Sequence, residues 1–147
     1  SEQDYQKMKA KDALYAEAEQ VYRAYQAEYV KALRAGGGTK LSSELKAVIG
    51  SEDLREVILG TLLNFKAEGL RIEGPGAQIT KVARLPNRTK AGSVASMEFC
   101  LDSRSTDTYK GSKKVYSGNL GRETAYFSRL SGRLVITSIE GKRVTTC

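Results

Sequence analysis

The sequence contains no histidine and no tryptophan, and only two cysteines and two prolines among its 147 residues. Without histidine there is no Ser-His or Cys-His nucleophile pair and no imidazole base or metal ligand. Two cysteines alone do not make a cysteine-rich zinc site. No glycine-rich phosphate cradle opens a helix, no nucleophile elbow occurs, and no apolar run reaches the length needed to span a bilayer. No cofactor and no metal is therefore expected. What the chain does have is eight tyrosines, fourteen glycines and a net charge of +7.

The charge is uneven. Through Ile79 the 11 Lys+Arg and 12 Asp+Glu leave −1, whereas from Thr80 onward 13 against 5 leave +8. A basic half of this kind attracts nucleic acid, anionic lipid or anionic wall polymers, and charge alone does not choose among them. The cysteines do help to choose. Cys147 follows a complete strand pattern, where a cysteine has little use unless tied to another element, so a Cys100–Cys147 disulfide is expected. Two unrelated reduced thiols are the alternative. A disulfide implies an oxidising compartment, which makes nucleic acid the least favoured partner. The polar start at Ser1 reads as the beginning of a mature or trimmed exported protein from which a signal or lipid anchor has been removed.

One uninterrupted helical pattern runs from about Gln3 to Arg34, with Tyr5, Met8, Tyr15, Ala18, Tyr22, Tyr25, Tyr29 and Leu33 on a single stripe. It stops at Gly36-Gly37-Gly38. A short helix over Ser43–Ile49 and a third after the N-cap Ser51 follow, the last carrying Leu54, Val57, Ile58, Thr61, Leu62 and Phe65 and ending before Gly69. From Leu70 the period becomes two. Strands are expected over Leu70–Glu73, Gln78–Leu85, Ser93–Asp102, Thr124–Leu130 and Leu134–Glu140, with Ser103–Gly118 a long loop or irregular hairpin. Within Ser93–Asp102, alternation puts Cys100 on the face opposite Ala95, Met97, Phe99 and Leu101. Val144–Cys147 either extends the last strand or returns along it. Asn87-Arg88-Thr89 matches a glycosylation sequon but reads as a turn.

The expected architecture is one α+β domain over residues 1–147, three N-terminal helices packed on a strongly curved antiparallel sheet. This pattern, with spaced tyrosines on the first helix and Leu54–Gly69 feeding Leu70-Arg71-Ile72-Glu73-Gly74, resembles the cone-shaped nuclear transport factor 2-like superfamily. Phe99-Cys100-Leu101-Asp102-Ser103 and a final hairpin ending in Cys147 are similar to small exported or lipid-anchored actinobacterial proteins. Many of those carry a tryptophan where this chain has Leu134-Val135-Ile136. The superfamily includes isomerases and cyclases that work in the mouth of the cone, and also inert transport and assembly modules, among them extracytoplasmic domains of conjugation and type IV secretion machinery. The resemblance therefore leaves function to the site.

The site candidates follow. Tyr15, Tyr22, Tyr25 and Tyr29, together with Asp102 and Tyr126, are candidate pocket residues. The favoured reading of the helix tyrosines is packing under the sheet with their hydroxyls reaching water or a cavity at its edge, and a ligand pocket is the sharper one. Asp102 is the one candidate base near possible tyrosine donors, although an aspartate ending a strand is more often a turn residue. Arg104, Lys110, Lys113, Lys114 and Arg122 are candidate contacts for an anion or a partner. The leading expectation is a non-enzymatic exported envelope domain, held near the membrane, that binds another envelope protein or an anionic envelope component. A small-molecule carrier or isomerase-like enzyme using the cone is the alternative.

Overall fold

The computed structural model describes residues 1–147. Helix α1 spans Glu2–Arg34 and begins at Ser1, whose hydroxyl accepts from the Asp4 amide. Ser42 and Ser51 cap α2 (Ser43–Val48) and α3 (Glu52–Glu68) in the same way, each satisfying an amide the first turn leaves free. Gly69 ends α3 at φ 68°, a left-handed conformation natural to glycine. Strands follow as β1 (Leu70–Glu73), β2 (Gln78–Arg84), β3 (Ala95–Asp102), β4 (Asp107–Lys110), β5 (Lys113–Ser117), β6 (Leu120–Leu130) and β7 (Arg133–Arg143). No helix is long and apolar enough to cross a membrane.

The α+β class and the three leading helices are as the sequence indicates, but the strands form two antiparallel sheets instead of one. The larger is ordered β2-β3-β6-β7 and the smaller β1-β4-β5. They meet at a bend in one long hairpin. β3 and β6 pair as far as Asp102 and Leu120, and β4 and β5 resume at Asp107 and Ser117. Two backbone bonds bridge the gap, from Ser103 N–H to Asn119 O and from Gly118 N–H to Thr106 O. Gly118 is required here, because a Cβ on it would collide with the Ser103 backbone. The polar run Ser103–Gly118 is thus a real hairpin, turning at Gly111-Ser112.

The core lies between α1 and the inner face of the larger sheet. Ala95, Met97, Phe99 and Leu101 point into it, and the Tyr22 ring stacks on Phe99 with centroids 3.6 Å apart and planes 7° from parallel. Leu45, Ile49, Ile58 and Leu62 close one end against Phe127 and Ile136. At roughly 25 cal/mol per Å² of apolar area, this packing is the main stabilising term.

Three expectations about the helices change. Tyr5 and Met8 are exposed because they precede the first contact of α1 with the sheet, the Asp12–Arg84 ion pair, and Val57 faces solvent to one side of the buried Leu54–Ile58–Leu62–Phe65 stripe. Helix α2 stops one residue short, at Val48, where Ile49 turns extended and bridges to Ile136.

Cys100 sits on the outer face of β3, opposite the core residues. Val144–Cys147 neither extends β7 nor pairs back along it. After the Val144 amide donates to Leu120 O, the segment crosses to β3, where Cys147 is disulfide-bonded to Cys100 with a Cα separation of 6.1 Å. No free cysteine remains.

Candidate functional site

A cavity of about 600 Å³ opens between the C-terminal half of α1, the bend joining the two sheets, and the paired ends of β6 and β7. Tyr29, Val30 and Leu33 line it from the helix, with Ile72 and Leu101 from the two sheets. Its polar lining holds one carboxylate, Glu123, along with Arg122, Lys142 and Arg143 from the paired ends of β6 and β7. In β6, residues 121, 123, 125 and 127 pair with Leu101, Phe99, Met97 and Ala95, so they share the inner face. Glu123 is therefore an acid in core register.

The Glu123 carboxylate is held from α1. The Tyr22 hydroxyl donates to its Oε1 at 2.5 Å, and Gln26 Nε2 donates to the Tyr22 oxygen at 3.0 Å. These bonds form a short relay in which the protons point toward the carboxylate. Burial raises the Glu123 pKa above the ordinary glutamate value, against the opposing effect of the Tyr22 bond. Tyr22 itself is pushed far above the usual phenol range, first by burial and then by the negative charge it faces. Tyr25 and Tyr29 are raised too, mainly by burial, so the tyrosines around Glu123 stay un-ionised.

The structure disperses the six pocket candidates read from the sequence. Tyr29 lines the cavity and Tyr22 supports it from behind. Tyr25 is buried between Tyr22 and Tyr29, with ring centroids 5.7 and 5.8 Å away. Tyr15 lies two turns toward the N-terminus, buried beneath the Arg84 guanidinium at 5.0 Å. Tyr126 is not a pocket residue. It pairs with Ser96 on the outer face of the larger sheet, where Lys90 stands 5.0 Å from its ring. Asp102 is not a base for the cavity either: Arg104 grips both its oxygens, at 3.0 and 2.8 Å, and donates its own amide as well. Those bonds hold the Asp102 pKa down at about 2.

The basic cluster is likewise mostly engaged. Arg104 pairs with Asp102, Lys110 with Glu68 at 3.6 Å, and Arg122 with Glu98 at 3.2 Å. Of the five candidates, Lys113 and Lys114 alone make no ion pair, and both are exposed on the edge strand β5. Lysines there also discourage edge-to-edge strand pairing.

Sequence reading passed over Glu123 and Arg143. The signal was present: Gly121, Glu123, Ala125 and Phe127 alternate into the core, but starting the strand at Thr124 left the acid outside it. No group of three or more Cys, Asp or Glu side chains is placed to hold a metal.

Neither known protein families nor curated proteins show a match to this sequence. Among solved structures the chain is similar to yeast UBP3-associated protein BRE5, at 11% identity and a TM-score of 0.37, over 93% of this chain and 98% of that one.

Proposed function

We propose that the chain is an exported, non-enzymatic binding domain of the cone-shaped nuclear transport factor 2-like kind, held near the membrane, whose ligand enters the cavity beside Glu123. The observation that carries this reading is the cavity: about 600 Å³, with Tyr29, Val30 and Leu33 along α1, one inward carboxylate and no second carboxylate in its lining. The disulfide supports an oxidising compartment. The pairing of Arg104, Lys110 and Arg122 weakens the case for the basic loop as the main contact, and moves the weight from surface attraction to the cavity.

An isomerase- or cyclase-like enzyme is the second reading, favoured by the raised proton affinity of Glu123 beside a tyrosine. Against it, the Tyr22 proton is committed to Glu123 instead of aimed at a substrate. The two readings differ in what Glu123→Gln does. An enzyme loses turnover and still binds, whereas a binding domain loses affinity.

The cavity itself is tested with Ala77→Trp, which places an indole in the space Ala77 borders. The variant should keep its melting temperature within a few degrees and lose uptake of the fluorescent apolar anion anilinonaphthalene sulfonate. Uptake equal to that of the unaltered protein would contradict the reading.

A further inference from the structure

β6 and β7 pair Glu123 with Gly141 and Gly121 with Arg143. Directly paired residues, and residues two apart on one strand, point to the same face. Glu123, Gly121, Gly141 and Arg143 therefore share the cavity face, while Arg122 and Lys142 alternate to the other side, where Arg122 meets Glu98. The two positions between the charges on this face are glycines, so bare backbone runs from the carboxylate to the guanidinium. A Cβ on Gly141 would stand 3.5 Å from Glu123 Cγ and 3.7 Å from its Oε2.

Neither charge has an ion-pair partner in the protein, and Arg143 is exposed at the cavity edge. Glu123 has its Oε1 occupied by Tyr22 and enters none of the protein's ion pairs, and neither does Arg143. The two do not pair with each other, although Gly141 and Arg143 stand only about 7 Å apart along the strand. An inward carboxylate without a cation is costly when ionised, and a ligand that supplies the cation relieves that cost.

We propose that the cavity takes a zwitterion, an aliphatic molecule whose protonated amine donates to Glu123 Oε2 and whose carboxylate is held by Arg143. The anchoring residues are set apart along the strands, so a probe with several methylenes between its two charges is the appropriate one. The connecting methylenes lie against Val30, Leu33 and Ile72, and Arg143 meets the carboxylate in the forked geometry a guanidinium favours. This inference rests on the cavity being the binding site, and it adds the chemistry of the occupant.

Isothermal titration of the disulfide-bonded full chain with 6-aminohexanoate, hexylamine and hexanoate tests it. The zwitterion should bind at least tenfold more tightly than either single-charge analogue. Glu123→Gln should reduce it to the level of hexanoate, and Arg143→Gln to that of hexylamine. Gly141→Leu, which keeps both charges and covers the bare backbone between them, should weaken it as much as either. Hexanoate or hexylamine binding as well as 6-aminohexanoate would overturn the proposal, as would an unchanged affinity in a Glu123→Gln variant that melts normally. If none of the three probes binds, the zwitterion is refuted. Loss of dye uptake in Ala77→Trp would then show that the cavity reading survives without it.

Discussion

Replacing Tyr22 with phenylalanine removes one oxygen and leaves the ring stacked on Phe99, so it isolates the hydrogen bond to Glu123 from the packing around it. The cost depends on the state of the carboxyl group. A bond to an ionised partner contributes about 1.5–3 kcal/mol and one between neutral groups about 0.5–1.5 kcal/mol. Glu123 has a raised pKa in the folded protein, so between the unfolded value of about 4.3 and the folded one the native state holds the extra proton. Stability from this group is therefore fullest at low pH and declines as pH rises through the folded pKa. Tyr22 opposes that decline, because its bond favours the ionised form. The substitution should cost about 1 kcal/mol at pH 4 and about 2 kcal/mol at pH 8, where Glu123 is charged and has lost its donor. At roughly 3 °C per kcal/mol for a chain of this size, the difference between the two conditions is about 3 °C in Tm. Urea unfolding of both proteins at each pH, disulfide intact, measures it, and the comparison between proteins cancels the other titrating groups. An equal cost at both pH values would refute the reasoning, and so would a cost under about 0.5 kcal/mol throughout.

Cys147→Ser opens a loop with a sequence separation of 47 and should lower stability by up to about 4 kcal/mol on chain-entropy grounds, while thiol alkylation of the unreduced protein should find no free cysteine. Asp102→Asn should leave ligand uptake unchanged, since that carboxylate faces Arg104; because its folded pKa is lowered, the stability it adds is present above about pH 4 and disappears as pH falls toward 2, which acid unfolding of the variant would show. Reversing Lys113 and Lys114 to glutamate should leave the melting temperature nearly unchanged and reduce sedimentation with anionic vesicles at low salt; sedimentation unaffected by the reversal and by ionic strength would assign their charge to solubility alone.

The helices were legible because their signals are local. Ser42 and Ser51 announce two starts, Gly69 announces a stop, and the Leu54–Ile58–Leu62–Phe65 spacing identifies a buried stripe. Cys100 was legible because alternation within one strand fixes its face, and Cys147 because it follows a strand pattern in a sequence with one other cysteine. Where α1 loses its cover was not legible. Tyr5 and Met8 continue the stripe perfectly well, and only the extent of the sheets decides that nothing meets them. The division into two sheets rests on the bend at Ser103–Thr106 and Gly118, where a collision with backbone distant in sequence makes the glycine necessary. The site was hidden for a similar reason. Asp102 stood out as the acid in an apolar strand, yet its neighbour Arg104 neutralises it locally. Glu123 stands one residue before the strand the pattern predicts, and its inward direction shows only in its register with Phe99 and in the bond from Tyr22, 101 residues away on α1.

The most direct measurement is the titration of the Glu123 side-chain carboxyl by carbon-13 NMR, with and without 6-aminohexanoate. Glu123→Gln identifies the resonance. The account predicts a pKa above the ordinary glutamate value in the free protein, from burial without a counter-ion, and a fall on adding the zwitterion as its amine compensates the charge. An ordinary glutamate pKa that the probe does not move would contradict it, placing Glu123 in water and the ligand, if there is one, elsewhere.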